Sequence, residues 1–234
     1  MDDLLIGRRD LIAAGAMVTA GLAASQSANA QAPAAAPVFA PPIAPLPFDP
    51  KSIAGLSEKL LTSHHDNNYG GAVKRIAAIS GQLATIDYAT APGFLINGLK
   101  REELIAWNSM LLHEVYFTSL GAPNRPGAGL AKAIERDFGS DARWRSEFAG
   151  MGKALGGGSG WVLLTYSPHD RRLTNQWAAD HSMTLAGGVP ILALDMYEHA
   201  YQMDYGAKAA GYVDAVMATL NWTAADARFA KAMA

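Results

Sequence analysis

The chain has 234 residues, half of them hydrophobic and 17% charged, with a formal net charge of −2. That length suits one large domain or two small ones with a real core, and a near-neutral balance lacks the basic stripe that nucleic-acid binding needs. With no cysteine, disulfides, thiolate metal sites and cysteine nucleophiles are excluded, so any metal must be held by His, Asp or Glu.

At the start, Arg8-Arg9 precede an uncharged run from Leu11 to Ala24, and Ala28-Asn29-Ala30 has the small-x-small form of a signal-peptidase site. The paired arginines with Asp10-Leu11 resemble a twin-arginine export signal. The apolar run is too short to span a bilayer. Residues 1–30 are therefore expected to be a signal peptide cleaved near Ala30, giving a periplasmic protein with no stable membrane anchor. Residues 31–46 form an Ala/Pro linker, expected to be extended and polyproline-like rather than packed.

The folded part starts with the helix signal Asp49-Pro50 and then Ser57, which opens SEKLLTSHHDNNYGGAVKRIAAI. Leu60, Leu61, His64, His65, Ala72, Val73 and Ile76 make a helical stripe there. Gly70-Gly71 weakens it by roughly 1 kcal/mol per glycine and is the expected bend. Asn97-Gly98 belongs to a looser stretch before a second long helix, from about Lys100 to Leu120, with the stripe Leu104, Trp107, Leu111, Val115 and Thr118. The breaker-rich GAPNRPGAG (121–129) separates a helical hairpin domain, 47–122, from a C-terminal α/β domain, 123–234.

In that second half, 130–138 and 141–151 read as short helices. Residues 161–166, 173–177 and 189–194 read as strands, with a hairpin turn at 167–172. Helix resumes from Tyr197. The fold class is α+β, an N-terminal α-helical hairpin followed by a half with a small antiparallel sheet.

Asp195 follows the apolar run VPILAL, so it stands where a strand ends. His199 lies four residues on, and one helical turn would send both side chains from the same face. The plain alternative is a capping aspartate beside a packed histidine. His64 and His113 can join them if the two long helices pack antiparallel. Three imidazoles and a carboxylate suit redox-active iron or manganese, although zinc accepts the same ligand types.

From about Leu46 to Ala234 the chain resembles the iron/manganese superoxide dismutases. The resemblance is carried by LPFDP at Leu46, the His64-His65 pair, His113 before VYFTSL, RDFGS at Arg136, GSGW at Gly158 and DMYEHAYQMDY at Asp195. It implies a C-terminal domain with a three-stranded antiparallel sheet, and one Fe or Mn ion per subunit held by His64, His113, Asp195 and His199. It also implies disproportionation of superoxide to dioxygen and hydrogen peroxide. Trp161 matches an aromatic wall of the site, and Tyr197 stands where tryptophan is common. Glu198 matches the glutamate that reaches a ligand histidine across a homodimer, with a dimer of dimers as the larger possibility.

The chain departs from the family at the substrate gate. Asn68 and Ala72 occupy the positions of the usual histidine and tyrosine, and Gln202 replaces the tyrosine that would meet the first of these from the other subunit. Asn68 and Gln202 are expected to pair as amides across the dimer. Ser109 stands where iron-type members place a glutamine against metal-bound solvent. His181, in WAADHSMT, is the expected replacement donor, with Ala179 as the rival for that slot. His65 reads as a packed or interface residue, and His169 as a turn residue. The altered gate leaves two alternatives, a weak or inactive metal-binding protein on this scaffold and a redox enzyme with a widened entrance.

Overall fold

The computed structural model describes residues 36–234; the expected signal peptide, its cleavage site and residues 31–35 of the linker lie outside the described residues. Helix α1, Glu58–Ser63, is capped by Ser57, whose Oγ accepts from the Leu60 amide at 3.1 Å and donates to Asp204 Oδ1 at 2.7 Å. The chain then makes a π-helical turn, His64–Tyr69, and continues as α2, Gly70–Thr85. The departure from α geometry therefore falls on HHDNNY and not on Gly70-Gly71, since Gly70 keeps right-handed helical angles. A π turn widens the helix by one residue, which here lets both His64 and Tyr69 face inward.

Helix α3 spans Gly93–Phe117, seven residues earlier at its start than expected. Asn97 and Gly98 lie on an exposed face, where the ~1 kcal/mol cost of a helical glycine is outweighed by packing further along. The buried face consists of Ala106, Ser109, Met110, Leu112, His113, Tyr116 and Phe117. The stripe predicted from hydrophobicity is instead the outer one, with Leu104, Trp107 and Leu111 each more than a third exposed. The inward stripe carries Ser, His and Tyr because it faces a polar centre, so apolar spacing alone selects the wrong side.

The described part of the linker is extended and largely exposed, as expected, but it is tied to the helices at a few points. Phe39 stacks on Trp107 with centroids 4.7 Å apart, its amide donates to Ser80 Oγ at 2.7 Å, and the Ala44 amide donates to the Tyr69 hydroxyl at 3.0 Å. The exposed indole of α3 gives this Ala/Pro segment an apolar seat.

Helices α4, Ala128–Phe138, and α5, Asp141–Ala154, lead into strands β1, Trp161–Ser167, β2, Arg172–Ala178, and β3, Val189–Asp195. The sheet is antiparallel in the order β2-β1-β3. β1 is buried along its whole length, as a central strand covered on both faces must be. Its register sets Trp161 opposite both Ala178 and Asp195. A 3-10 turn, Glu198–Ala200, then precedes α6, Gln202–Tyr205, α7, Ala209–Ala218, and α8, Thr223–Met233. The described residues pack as one compact unit, with α3 lying against β3. A bridge from Leu120 to Leu220 ties the end of the hairpin to the last helices.

Candidate metal centre

Four elements deliver one side chain each to the space between hairpin and sheet. His64 comes from the π turn, His113 from the inner face of α3, Asp195 from the last position of β3, and His199 from the 3-10 turn. Asp195 and His199 are thus not on one helical turn. The chain leaves β3 through a tight corner in which the Tyr197 amide donates to Asp195 Oδ1 at 2.9 Å, and this corner swings His199 back over the carboxylate. The other carboxylate oxygen, Oδ2, lies 3.1 Å from His64 Nε2, 3.3 Å from His199 Nε2 and 3.5 Å from His113 Nε2.

These four groups each offer one ligand atom, all within 4.8 Å of one another. The proton positions test whether a cation fits. His113 Nδ1 donates to the Ser109 carbonyl at 2.6 Å, so the proton of this neutral ring is spent there and Nε2 holds a lone pair. That Nε2 is buried, has no hydrogen-bond partner, and faces a carboxylate oxygen. Two buried electron pairs facing each other are unfavourable unless a cation lies between them. The donor set suits iron or manganese.

The electrostatics agree. Burial holds the His113 imidazole down to about 3, assisted by the neighbouring His64 and opposed by Asp195. Burial also lowers His64, against the pull of Asp195. For Asp195 burial works upward, but hydrogen bonds from His199 and His64 outweigh it and hold the carboxyl well below the usual range. The result is a neutral His64 and His113 beside an ionised carboxylate, the protonation states that bind metal.

Around the four lies an aromatic shell. The Trp161 ring stands edge-on to His113 at 5.3 Å, and its Nε1–H donates to His181 Nδ1 at 2.9 Å. His181 stacks on Tyr197 with centroids 4.8 Å apart, and Tyr197 stacks on His199 at 5.5 Å. The loop carrying His181 is pinned by Asn108 of α3, which donates to the His181 carbonyl at 2.6 Å. Burial lowers the His181 imidazole, while burial and the Asp195 charge push the Tyr197 phenol up to about 12.

Asn68, Ala72, Ser109 and His181 line a cavity of about 240 Å³ with Arg75 at its side. Glu198 and Gln202 flank the His199 turn and are exposed in one chain. His65 hydrogen-bonds to the Ala44 carbonyl at 2.8 Å, a packing role, and His169 is an exposed turn residue. Sequence reasoning missed the Ser109 carbonyl, legible only as the position one helical turn before His113. The aromatic pair Tyr116-Phe117, read from the sequence as bulk that keeps the site dry, lies against His64, with ring centroids 5.1 and 5.0 Å away.

Residues 126–228 match the family described as iron/manganese superoxide dismutases, C-terminal domain. A protein named superoxide dismutase [Fe] from Cupriavidus metallidurans is 67% identical over 189 residues, covering 81% of this chain and 96% of its own length. Superoxide dismutase [Mn] 1 of Halobacterium salinarum is 34% identical over 196 residues, covering 80% and 94%. Superoxide dismutase [Fe] of Aquifex pyrophilus is 32% identical over 192 residues, covering 79% and 89%.

Proposed function

The chain belongs to the iron/manganese superoxide dismutase family, which disproportionates superoxide with one iron or manganese ion per subunit, and within it we propose a periplasmic iron enzyme. The observation that carries the site assignment is the convergence of three imidazole Nε2 atoms on Asp195 Oδ2. His64, His113, Asp195 and His199 would hold the ion. Iron is preferred over manganese because the relative at 67% identity is named for it. Bound there, the ion supplies a one-electron couple that oxidises one superoxide to dioxygen and reduces a second to peroxide.

The chain's own residues do the rest. His181 receives the Trp161 N–H on Nδ1, so its proton sits on Nε2 and serves as the donor to solvent at the site. This gives His181 the role that Ser109 has lost, in preference to Ala179. Trp161 and Tyr197 close the pocket with large rings, excluding bulk water. Asn68 and Ala72 leave an entrance wider than a histidine and a tyrosine would. The inactive-scaffold alternative and a different redox reaction through the wider entrance are not favoured, because the relatives of this chain are named superoxide dismutases.

A homodimer completes this reading. The His199 side chain is 27% exposed in one chain, whereas those of His64, His113 and Asp195 are at most 1% exposed. Glu198 of a second copy would cover it, with Asn68 and Gln202 paired alongside. Glu198→Ala is expected to weaken the dimer at least tenfold, about 1.4 kcal/mol or more, and Gln202→Ala comparably, by light scattering against concentration. A Gln202→Ala dimer as tight as the wild type would remove the amide pair from the interface.

Export rests on Arg8-Arg9 and Ala28-Asn29-Ala30. The test of function is superoxide decay by pulse radiolysis on protein purified from the periplasmic fraction, with its first residue and metal content determined on the same sample. Catalysis proportional to iron, on chains beginning at Gln31, is expected. Metal-loaded protein that leaves superoxide decaying at the buffer rate would overturn the assignment.

A further inference from the structure

Tyr116 and Tyr212 are both fully buried, on α3 and α7, and the Tyr212 hydroxyl donates to the Tyr116 oxygen at 3.2 Å. Among the described residues that is the one hydrogen bond either hydroxyl makes. Two phenylalanines would fill the same space without desolvating two phenols, so packing alone does not account for the pair. Its position is specific. Tyr116 follows His113 by three residues on the same helix face and lies against the His64 ring, so one end of the pair touches the metal centre. The other end leads outward, because the Tyr212 ring contacts Tyr201 at 5.5 Å and the partly exposed Tyr205 at 6.2 Å.

We infer that the Tyr116–Tyr212 pair is a hydrogen-atom relay that removes an oxidising equivalent from the metal centre and protects the ligand histidines. The inference rests on iron at His64, His113, Asp195 and His199. Hydrogen peroxide is a product of the enzyme's own reaction. With ferrous iron it gives ferric iron, hydroxide and a hydroxyl radical. That radical takes the phenolic hydrogen atom of Tyr116, forming water and a neutral phenoxyl. Tyr212 then passes its own hydrogen atom, electron and proton together, along the existing hydrogen bond. Tyr116 regains its O–H and the unpaired electron rests on Tyr212. The two phenol oxygens are 3.2 Å apart, close enough for the hydrogen atom to pass directly between them. No charge is created in the core at either step, which matters because burial holds both phenols well above their ordinary range.

The test is to reduce iron-loaded protein, mix it with hydrogen peroxide, freeze it, and record electron paramagnetic resonance, with oxidised residues then mapped by peptide mass spectrometry. Wild type is expected to show a tyrosyl radical. In Tyr212→Phe that signal is expected to fall severalfold, and oxidation of His64, His113 and Trp161 to rise severalfold, at an unchanged rate of superoxide dismutation. Tyr201→Phe removes a neighbouring phenol hydroxyl while keeping the ring contact with Tyr212 and the Tyr212–Tyr116 hydrogen bond, and is expected to behave as wild type. An unchanged radical yield and oxidation map in Tyr212→Phe would overturn the relay, as would an equal loss in Tyr201→Phe. Wild-type protein that binds no iron would instead overturn the metal site, a result read from metal content before any peroxide is added.

Discussion

Asp195→Asn is expected to leave the protein folded but without its metal, with superoxide turnover reduced at least about 100-fold, since even residues that merely hold metal ligands typically contribute 10–100-fold. Three imidazole nitrogens surround Asp195 Oδ2. The carboxylate is the one anionic group among the four side chains, and it is completely buried. An asparagine of the same shape removes the charge that draws a cation into this space. Its amide also offers N–H donors, and the nearest unpartnered acceptor is His113 Nε2. The orphaned nitrogen would thus be satisfied by the side chain, closing the site on itself. The metal-free variant is still expected to unfold at a lower urea concentration than metal-free wild type, because the hydrogen bonds from His64 and His199 that hold the Asp195 carboxylate ionised are weakened when its charge is removed. Metal content, pulse radiolysis and a urea midpoint read the three consequences separately. One iron per chain and a near-normal rate in Asp195→Asn would show that the carboxylate does not hold the ion.

The centre was legible in the sequence to the extent that residue type sufficed. His64, His113, Asp195 and His199 could be named from chemistry, and DMYEHAYQMDY specified the family. The geometry was not legible. Asp195 and His199 have the spacing of a helix but meet across a strand end and a 3-10 turn, because the Tyr197 amide bonds back to Asp195 Oδ1 and tightens the corner. The inward face of α3 was missed for a related reason. A helix facing a metal centre must turn His113, Tyr116 and Ser109 inward, so its most hydrophobic stripe is left outside with Trp107. The Ala/Pro segment was read by composition as unpacked. Only the resulting exposure of Trp107 explains why Phe39 sits down on it. Where function reverses the usual placement of polar and apolar residues, hydrophobic periodicity loses its meaning, and the failures fall around the site.

The same logic puts the largest stability effect on a residue with no side chain. Gly160→Ala is expected to cost about 3–5 kcal/mol, from backbone strain of 1–3 kcal/mol together with a steric clash of similar size. Gly160 adopts φ of +133°, and a Cβ there would lie 2.1 Å from the Ala178 carbonyl oxygen and 3.2 Å from two further backbone carbons. None of these atoms is the free end of a side chain, so the strands themselves must part. They part where it matters most. Gly160 immediately precedes Trp161, its carbonyl accepts from the Met196 amide at 2.9 Å, and Trp161 is in register with both Ala178 and Asp195. Displacing this point shifts Trp161, the Ala178–His181 segment and the end of β3 together. For a domain of this size the melting temperature is expected to fall by roughly 10 °C or more. Gly157→Ala is the control, because Gly157 also has a positive φ, +84°, but open space where the Cβ would go. That variant carries only the backbone strain, about 1 kcal/mol. If the two variants melt together, the clash with Ala178 is being absorbed, and the junction of β1 with β2 and β3 is softer than its hydrogen bonds imply. If Gly160→Ala melts well below Gly157→Ala, the frame that holds Trp161 and His181 beside His113 is fixed by the missing Cβ.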